Sequence, residues 1–370
     1  MSIAYSYPLL AEITKAYISS KKSYSDVYVL ACQHLLEPQK KMFELLVEFG
    51  IPKDSIKIFG KIYSTSNEIV NEMKNEGFNV SLPVFDPAIP FDIEHARNCK
   101  NELEAFSSKC KSFSKIIILD DGGQLLKTVN DSLETLPDSM QFIGIEQTSS
   151  GFRKLEDVDL KFPVYNVARS AVKLIKESPI IADIGCSRIF DVVEQYSISE
   201  PRVLVVGLGP LGSSTLLLLK EKGYFAVGYD IAHHDKAQLI DLIKNNKINI
   251  VVGATGTNIL DEEQLRQINQ SLASHLYLIS MSSSDREFPT SYFRKNAAKT
   301  INIHSDIIWN NTTLINNGFP LTFKGNRYES TPEEIERTIG LLYGSALEAL
   351  SIGIKGKGFI DVPEKITSLL

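Results

Sequence analysis

The chain has 370 residues, 43% of them hydrophobic and 23% charged, which suits two cored domains of a soluble globular protein and excludes a chain dominated by disorder. Its net charge of −6, with no concentrated basic run, argues against a nucleic-acid partner, because phosphate binding needs a clustered basic face. No apolar run approaches the ~20 residues that span a bilayer, and the N-terminus lacks the pattern of a signal peptide, so no membrane partner and a cytoplasmic location are expected.

Residues 17–22 close a first helical segment, and residues 27–31 read as a buried strand ending on Cys32, Gln33 and His34. Pro38 opens a helix over 39–49, residues 55–59 form a second strand, and 67–75 a second helix. This alternation implies a parallel sheet, whose strand ends are where ligands bind. After a loop carrying Pro83, Pro87 and Pro90, a polar helix passes through Cys99 and Leu103. Residues 115–119 then form a strand that runs into Asp120 and Asp121 of a DDGG turn. The next strand, 140–145, ends on Glu146, Gln147 and Thr148. A helix over 168–177 carries Lys173, Pro179 marks a break, and 180–196 is a long helix leading into a second domain. The four cysteines (Cys32, Cys99, Cys110, Cys186) lack C-x-x-C pairing, so buried thiols are expected and neither a metal site nor a disulfide framework is indicated.

Residues 201–230 organise the second half. An apolar run leads into Gly207, Gly209 and Gly212 at G-x-G-x-x-G spacing, a leucine-rich helix follows, and a second apolar run ends on Asp230. This is the dinucleotide-binding fingerprint of a Rossmann-like domain. Gly207 makes the tight turn, Gly209 admits the pyrophosphate, Gly212 allows close helix packing, and Pro210 and Leu211 open the helix whose N-terminus faces the phosphates. Asp230 is placed to hydrogen-bond a ribose hydroxyl and repel a 2′-phosphate, so NAD is expected over NADP. A strand over 249–252 leads to Ala254, Thr255, Gly256 and Asn258 of a GATGTN segment, also assigned to the cofactor. His233 and His234 read as loop residues near the cofactor's adenosine end. Residues 273–280 and 299–303 read as further strands, and a last helix over 333–350 packs back on the first domain. The expected fold is therefore α/β, with two Rossmann-like doubly wound domains flanking a cleft. Residues 1–179 and 332–370 form the substrate domain, and 180–331 the NAD-binding domain.

Read together, CQH at 32–34, ILDDGG at 118–123, GIEQTSSG at 144–151, YNVARSAVK at 165–173, IGC at 184–186, GLGPLG at 207–212, GATGTN at 253–258 and GFIDVPEKI at 358–366 resemble S-adenosylhomocysteine hydrolases over nearly the whole chain. The resemblance implies a tightly held NAD that oxidises a ribose 3′-hydroxyl so that homocysteine leaves by elimination. By the same resemblance Glu146 holds ribose hydroxyls, Lys173 removes a proton, and Asp120 lies close to the sugar. His34 belongs to the first substrate loop, and Cys186 lies near the nicotinamide.

The departures fall on substrate recognition. Leu35, Leu36, Glu37 and Pro38 follow CQH, Ala168 and Arg169 replace an asparagine–aspartate pair, ISMSSSD at 279–285 replaces I-G-H-F-D, and FKGNRYESTP replaces G-H-P before the last helix. The sequence also stops soon after VPEKI, which implies a homodimer in place of a tetramer and faster NAD exchange. The leading expectation is an NAD-dependent enzyme oxidising a ribose-type secondary hydroxyl of a nucleoside or related small molecule. A true S-adenosylhomocysteine hydrolase with a rebuilt site and a non-catalytic NAD-binding regulator are the alternatives.

Overall fold

A computed structural model describes residues 7–108, 110–230, 232, 236–271, 274–282, 284–297, 301–352 and 356–370. His233 and His234 lie outside the described residues. In chain order the strands are β1 (Val27–Leu35), β2 (Ile56–Thr65), β3 (Asn79–Ser81), β4 (Lys115–Asp120), β5 (Gln141–Glu146), β6 (Pro163–Asn166), β7 (Arg202–Val206), β8 (Phe225–Tyr229), β9 (Ile250–Gly253), β10 (Leu276–Ser280), β11 (Ile307–Trp309), β12 (Thr312–Leu314) and β13 (Gly358–Ile360). Two compact units result: one comprises 1–84, 93–177 and 325–370, the other 85–92 and 178–324.

The sheet of the first unit runs β13-β6-β5-β4-β1-β2-β3, and every pair in it is parallel. β4 shows why a nearly unbroken apolar run suits such a strand. Ile117 and Leu119 enter one core with helices Pro8–Ala16, Glu37–Phe49, Asn67–Asn75 and Pro332–Ser351. Ile116 and Ile118 enter another with helices Phe91–Ser107 and Gln124–Ser132. A strand covered on both faces has no polar side to alternate with. Glu333 and Glu334 lie in the first turn of the last helix, and Thr331 with Glu334 forms a capping box there. At its other end the Lys115 ammonium donates to the Ala349 carbonyl at 2.7 Å.

The sheet of the second unit runs β11-β12-β10-β9-β7-β8, parallel except for the β11–β12 hairpin. Leu204 and Val206 pack with helices Lys236–Asn245 and Glu262–Ser271, whereas Val203 and Val205 pack with helix Pro210–Glu221 and the C-terminal part of Ala171–Gln195. Both units are thus doubly wound α/β sheets.

Two local expectations give way. Pro179 does not break the chain: residues 171–195 form one helix with the proline inside it. The proline removes the bond to the Ile175 carbonyl, and Ile175 is an exposed residue, so water can meet that group. The strand expected over 299–303 is not found among its described residues 301–303; the edge is instead made by β11 and β12, which a short turn joins. No described helix is long and apolar enough to cross a membrane.

Candidate functional site

In the first unit the strand order reverses between β1 and β4, so the crevice at their carboxyl ends is the place where such sheets bind ligands. Cys32 of β1 pairs in register with Asp120 of β4, and Asp120 with Glu146 of β5. The chain thereby gathers a buried polar cluster from segments far apart in sequence. Asp121, 1% exposed, is its hub. One carboxylate oxygen is paired with the Lys61 ammonium from β2, the other with His34 Nε2 at 3.0 Å, and the Gln147 amide also donates to it. The other nitrogen of the ring, His34 Nδ1, lies 2.5 Å from Ser64 Oγ. Burial alone would raise the Asp121 carboxyl, but His34 and Lys61 hold it well below the usual range. Burial likewise works against the Lys61 ammonium, and Asp121 keeps it charged.

Glu146 shapes the turn beside this hub. It accepts from the backbone N–H of Gly122 (3.2 Å) and Gly123 (2.8 Å), and from the N–H and hydroxyl of Thr148, both at 2.7 Å. Gly123 sits at φ +72°, and a Cβ there would lie 2.8 Å from the Gly151 carbonyl oxygen, which accounts for the glycine. Asp120 accepts from the Leu126 N–H at 2.8 Å through one oxygen, while its other oxygen has no partner among the described residues. Burial pushes the Asp120 carboxyl up to about 6; burial and the neighbouring Asp120 charge push Glu146 up to about 8. The two carboxyls titrate as a pair that retains a proton into the neutral range. The folded protein then holds a proton that the unfolded chain releases, so this pair lowers stability as pH rises from the ordinary carboxyl range toward 8. Urea unfolding between pH 5 and 8, roughly the span of those shifts, should show that slope, and Glu146→Gln should flatten it. An unchanged slope would place the proton elsewhere.

Further unpartnered atoms surround the same strand ends. Neither amide atom of Gln33 nor Gln147 Oε1 has a partner among the described residues, although both side chains are buried. Buried polar atoms are normally satisfied, so a polar ligand or water is what this crevice calls for.

Lys173 and Cys186 are held by partners of their own. Lys173 is ion-paired with Glu177 at 2.5 Å, and Glu177 accepts from Thr338 Oγ1 at 3.0 Å. Cys186 belongs to the second unit, where it is buried in a core and its thiol donates to the Thr215 carbonyl at 3.7 Å. Burial pushes that thiol up to about 12, which suits packing and not nucleophilic chemistry.

In the second unit the strand order reverses between β7 and β9, and the two glycine-bearing turns follow those strands. Gly207 has φ +96°, and a Cβ on it would lie 2.8 Å from the Ala254 backbone. A Cβ on Gly212 would lie 1.8 Å from the Gly207 carbonyl oxygen. Gly209 differs: a Cβ on it would meet nothing within 4 Å. It is the N-cap of helix Pro210–Glu221 and supplies no side-chain cap. Open space before uncapped helical N–H groups fits a pyrophosphate. Asp230 accepts from the Leu208 N–H at 2.7 Å and the Ala232 N–H at 2.9 Å, which fixes its carboxylate beside the turn. Ala254, Thr255 and Gly256 form the facing loop, while the Asn258 amide donates to the Leu260 carbonyl at 3.1 Å.

Sequence reasoning missed Lys61, Ser64 and the hub role of Asp121, and it missed Glu287. The Glu287 carboxylate, fully buried, accepts from the Thr255 N–H (2.6 Å), the Gly256 N–H (3.1 Å) and Ser280 Oγ (2.6 Å). A lysine in an apolar strand followed three residues later by a serine was the available signal for the first two. Glu287 left none.

No family model matches the chain. An uncharacterized protein of Mycobacterium tuberculosis, strain H37Rv, is 29% identical over 319 residues, covering 81% of this chain and 60% of that protein. The adenosylhomocysteinase of Acinetobacter baylyi is 25% identical over 320 residues, covering 78% of this chain and 64% of the enzyme. The chain therefore spans less than two thirds of the length of these relatives. Among solved structures, a dipicolinate synthase component from Bacillus halodurans matches with a TM-score of 0.45 and 10% identity, covering 89% of this chain and 99% of that one. The NAD-complexed D-isomer specific 2-hydroxyacid dehydrogenase of Lactobacillus delbrueckii ssp. bulgaricus matches with a TM-score of 0.39 and 12% identity, covering 88% and 98%.

Proposed function

We propose that the chain is an NAD-dependent enzyme, similar to adenosylhomocysteinase, that oxidises a secondary hydroxyl of a ribose-type substrate. The observation that carries this reading is the open space at Gly209, before the uncapped N-terminus of helix Pro210–Glu221 and beside Asp230. The sequence similarity to the Acinetobacter enzyme supports the same class. Gly207, Gly209, Pro210, Leu211 and Gly212 would hold the pyrophosphate, with Ala254, Thr255, Gly256 and Asn258 on the facing loop, and Asp230 would receive a ribose hydroxyl. Bound NAD would supply the hydride acceptor.

The chain's own residues supply binding and proton handling. The unpartnered Asp120 oxygen and the Gln33 amide are free to receive substrate hydroxyls, and Glu146 fixes the turn that presents Asp120. His34, held between the Asp121 carboxylate and Ser64, is oriented to pass a proton. Lys173 would serve as the base only after its ammonium parts from Glu177. Cys186 contributes packing against helix Pro210–Glu221.

Titration with the two dinucleotides tests the cofactor assignment. NAD should bind, and NADP should bind more weakly, on the order of 10-fold or more, because its 2′-phosphate meets the Asp230 carboxylate. Asp230→Ser should narrow that difference. Equal affinity for both, or binding of neither, would refute the assignment.

A further inference from the structure

Glu287 lies outside every recognised motif, yet its carboxylate is heavily engaged in the second unit's crevice. Through one oxygen it accepts from the Thr255 N–H at 2.6 Å, the Thr255 hydroxyl at 3.1 Å and the Gly256 N–H at 3.1 Å. Through the other it accepts from Ser280 Oγ at 2.6 Å, at the end of β10. The loop it grips is in turn the floor of the glycine-rich turn. A Cβ on Gly207 would strike the Ala254 backbone and Thr255 Cγ2 at 2.8 Å, and one on Gly212 would come within 3.2 Å of Ala254 Cβ. Contact therefore runs without a gap from Glu287 through Thr255 and Ala254 to Gly207 and Gly212. The neighbouring Arg286 also reaches this loop, donating to the Gly256 carbonyl at 3.5 Å, and donates to Asp92 at 2.9 Å and Ser284 Oγ at 2.8 Å.

A buried carboxylate is costly unless its hydrogen bonds are made, and here the donors are two backbone N–H groups and two hydroxyls. Those N–H groups follow β9 at the point where the strand order reverses. Left without Glu287 they would seek other partners and the loop would lose its shape. We propose that Glu287 is the positioning residue of the dinucleotide cradle: it sets the 254–256 loop, and through that loop the height of the Gly207–Gly212 turn, without touching the cofactor. This inference rests on the NAD assignment above, but its structural half stands independently.

The test compares three variants by NAD titration, thermal unfolding and amide hydrogen exchange. Glu287→Gln keeps an acceptor for Thr255 and Gly256 and should retain NAD affinity within about 3-fold. Glu287→Ala should lose roughly 10-fold or more. Ile268→Ala, in a buried core position on helix Glu262–Ser271, should lower the unfolding temperature while leaving NAD affinity unchanged. In the NAD-free protein, the Thr255 and Gly256 amides should be protected in the wild type and in Glu287→Gln but exchange fast in Glu287→Ala. Equal protection in all variants, or NAD affinity lost as much in Ile268→Ala as in Glu287→Ala, would overturn the inference. Failure of the wild type to bind NAD would refute the cofactor assignment, and the exchange data would then decide the role of Glu287 alone.

Discussion

Gly209→Ala should leave the fold intact and weaken dinucleotide binding by roughly 10- to 100-fold. Gly209 lies at φ −65° and ψ −176°, a conformation alanine adopts without strain, and the added methyl meets nothing within 4 Å. The unfolding temperature should therefore fall by a few degrees at most, since exchanging glycine for alanine at a helix N-cap costs about 1 kcal/mol or less. The same empty space is where a pyrophosphate would approach the backbone. Forcing a methyl into a filled contact costs about 1–3 kcal/mol, roughly 10- to 100-fold in affinity. Gly212→Ala provides the contrast. Its methyl would sit 1.8 Å from the Gly207 carbonyl oxygen, a backbone atom that cannot swing away, so both stability and binding should fall. Calorimetric titration and thermal unfolding of the two variants check this. Unchanged NAD affinity in Gly209→Ala would mean that the open space does not receive the cofactor.

The second large effect concerns the Lys61–Asp121 pair. Both side chains are almost fully buried, at 3% and 2% side-chain exposure; Asp121 is the main compensation for the Lys61 charge, and Lys61 shares the compensation of Asp121 with His34. Breaking a buried pair by removing one partner costs about 3–5 kcal/mol, because the remaining charge stays in a poor solvent. Lys61→Met and Asp121→Asn should each destabilise by that amount in urea unfolding. The double variant should recover a large part of the loss, since it leaves no orphan charge. Asp121→Asn should also loosen His34, which would lose its carboxylate partner while the contact with Ser64 remains. Additive losses in the double variant would show that the two groups do not compensate one another.

Much of the architecture was legible because its signals are local. Apolar runs such as 116–119 are bounded by turn residues, and the G-x-G-x-x-G spacing carries its own strand and helix. The Asp120–Glu146 neighbourhood was legible too, because both residues end parallel strands adjacent in the sheet. What escaped was long-range. Lys61 meets Asp121 only because β2 lies beside β1, and the register of those strands is set by packing that no short window displays. Glu287 grips Gly256 from 31 residues away along the chain. Pro179 was misread for a different reason: the penalty for a proline within a helix is lower where the freed carbonyl can reach water, and exposure is a tertiary property. Lys173 shows a partner that spacing alone does foretell: Glu177 lies one helical turn along, at the i,i+4 separation that brings two side chains together on any helix.

In the proposed reaction, bound NAD oxidises a hydroxyl of a ribose-type substrate. Its most direct test is rapid mixing of the NAD-loaded protein with S-adenosylhomocysteine, adenosine and a panel of related nucleosides, following the absorbance of reduced nicotinamide. Reduced nicotinamide should form on the protein with at least one member of the panel, and that signal should be lost in Asp120→Asn. No reduction with any member, in protein shown to hold NAD, would contradict it.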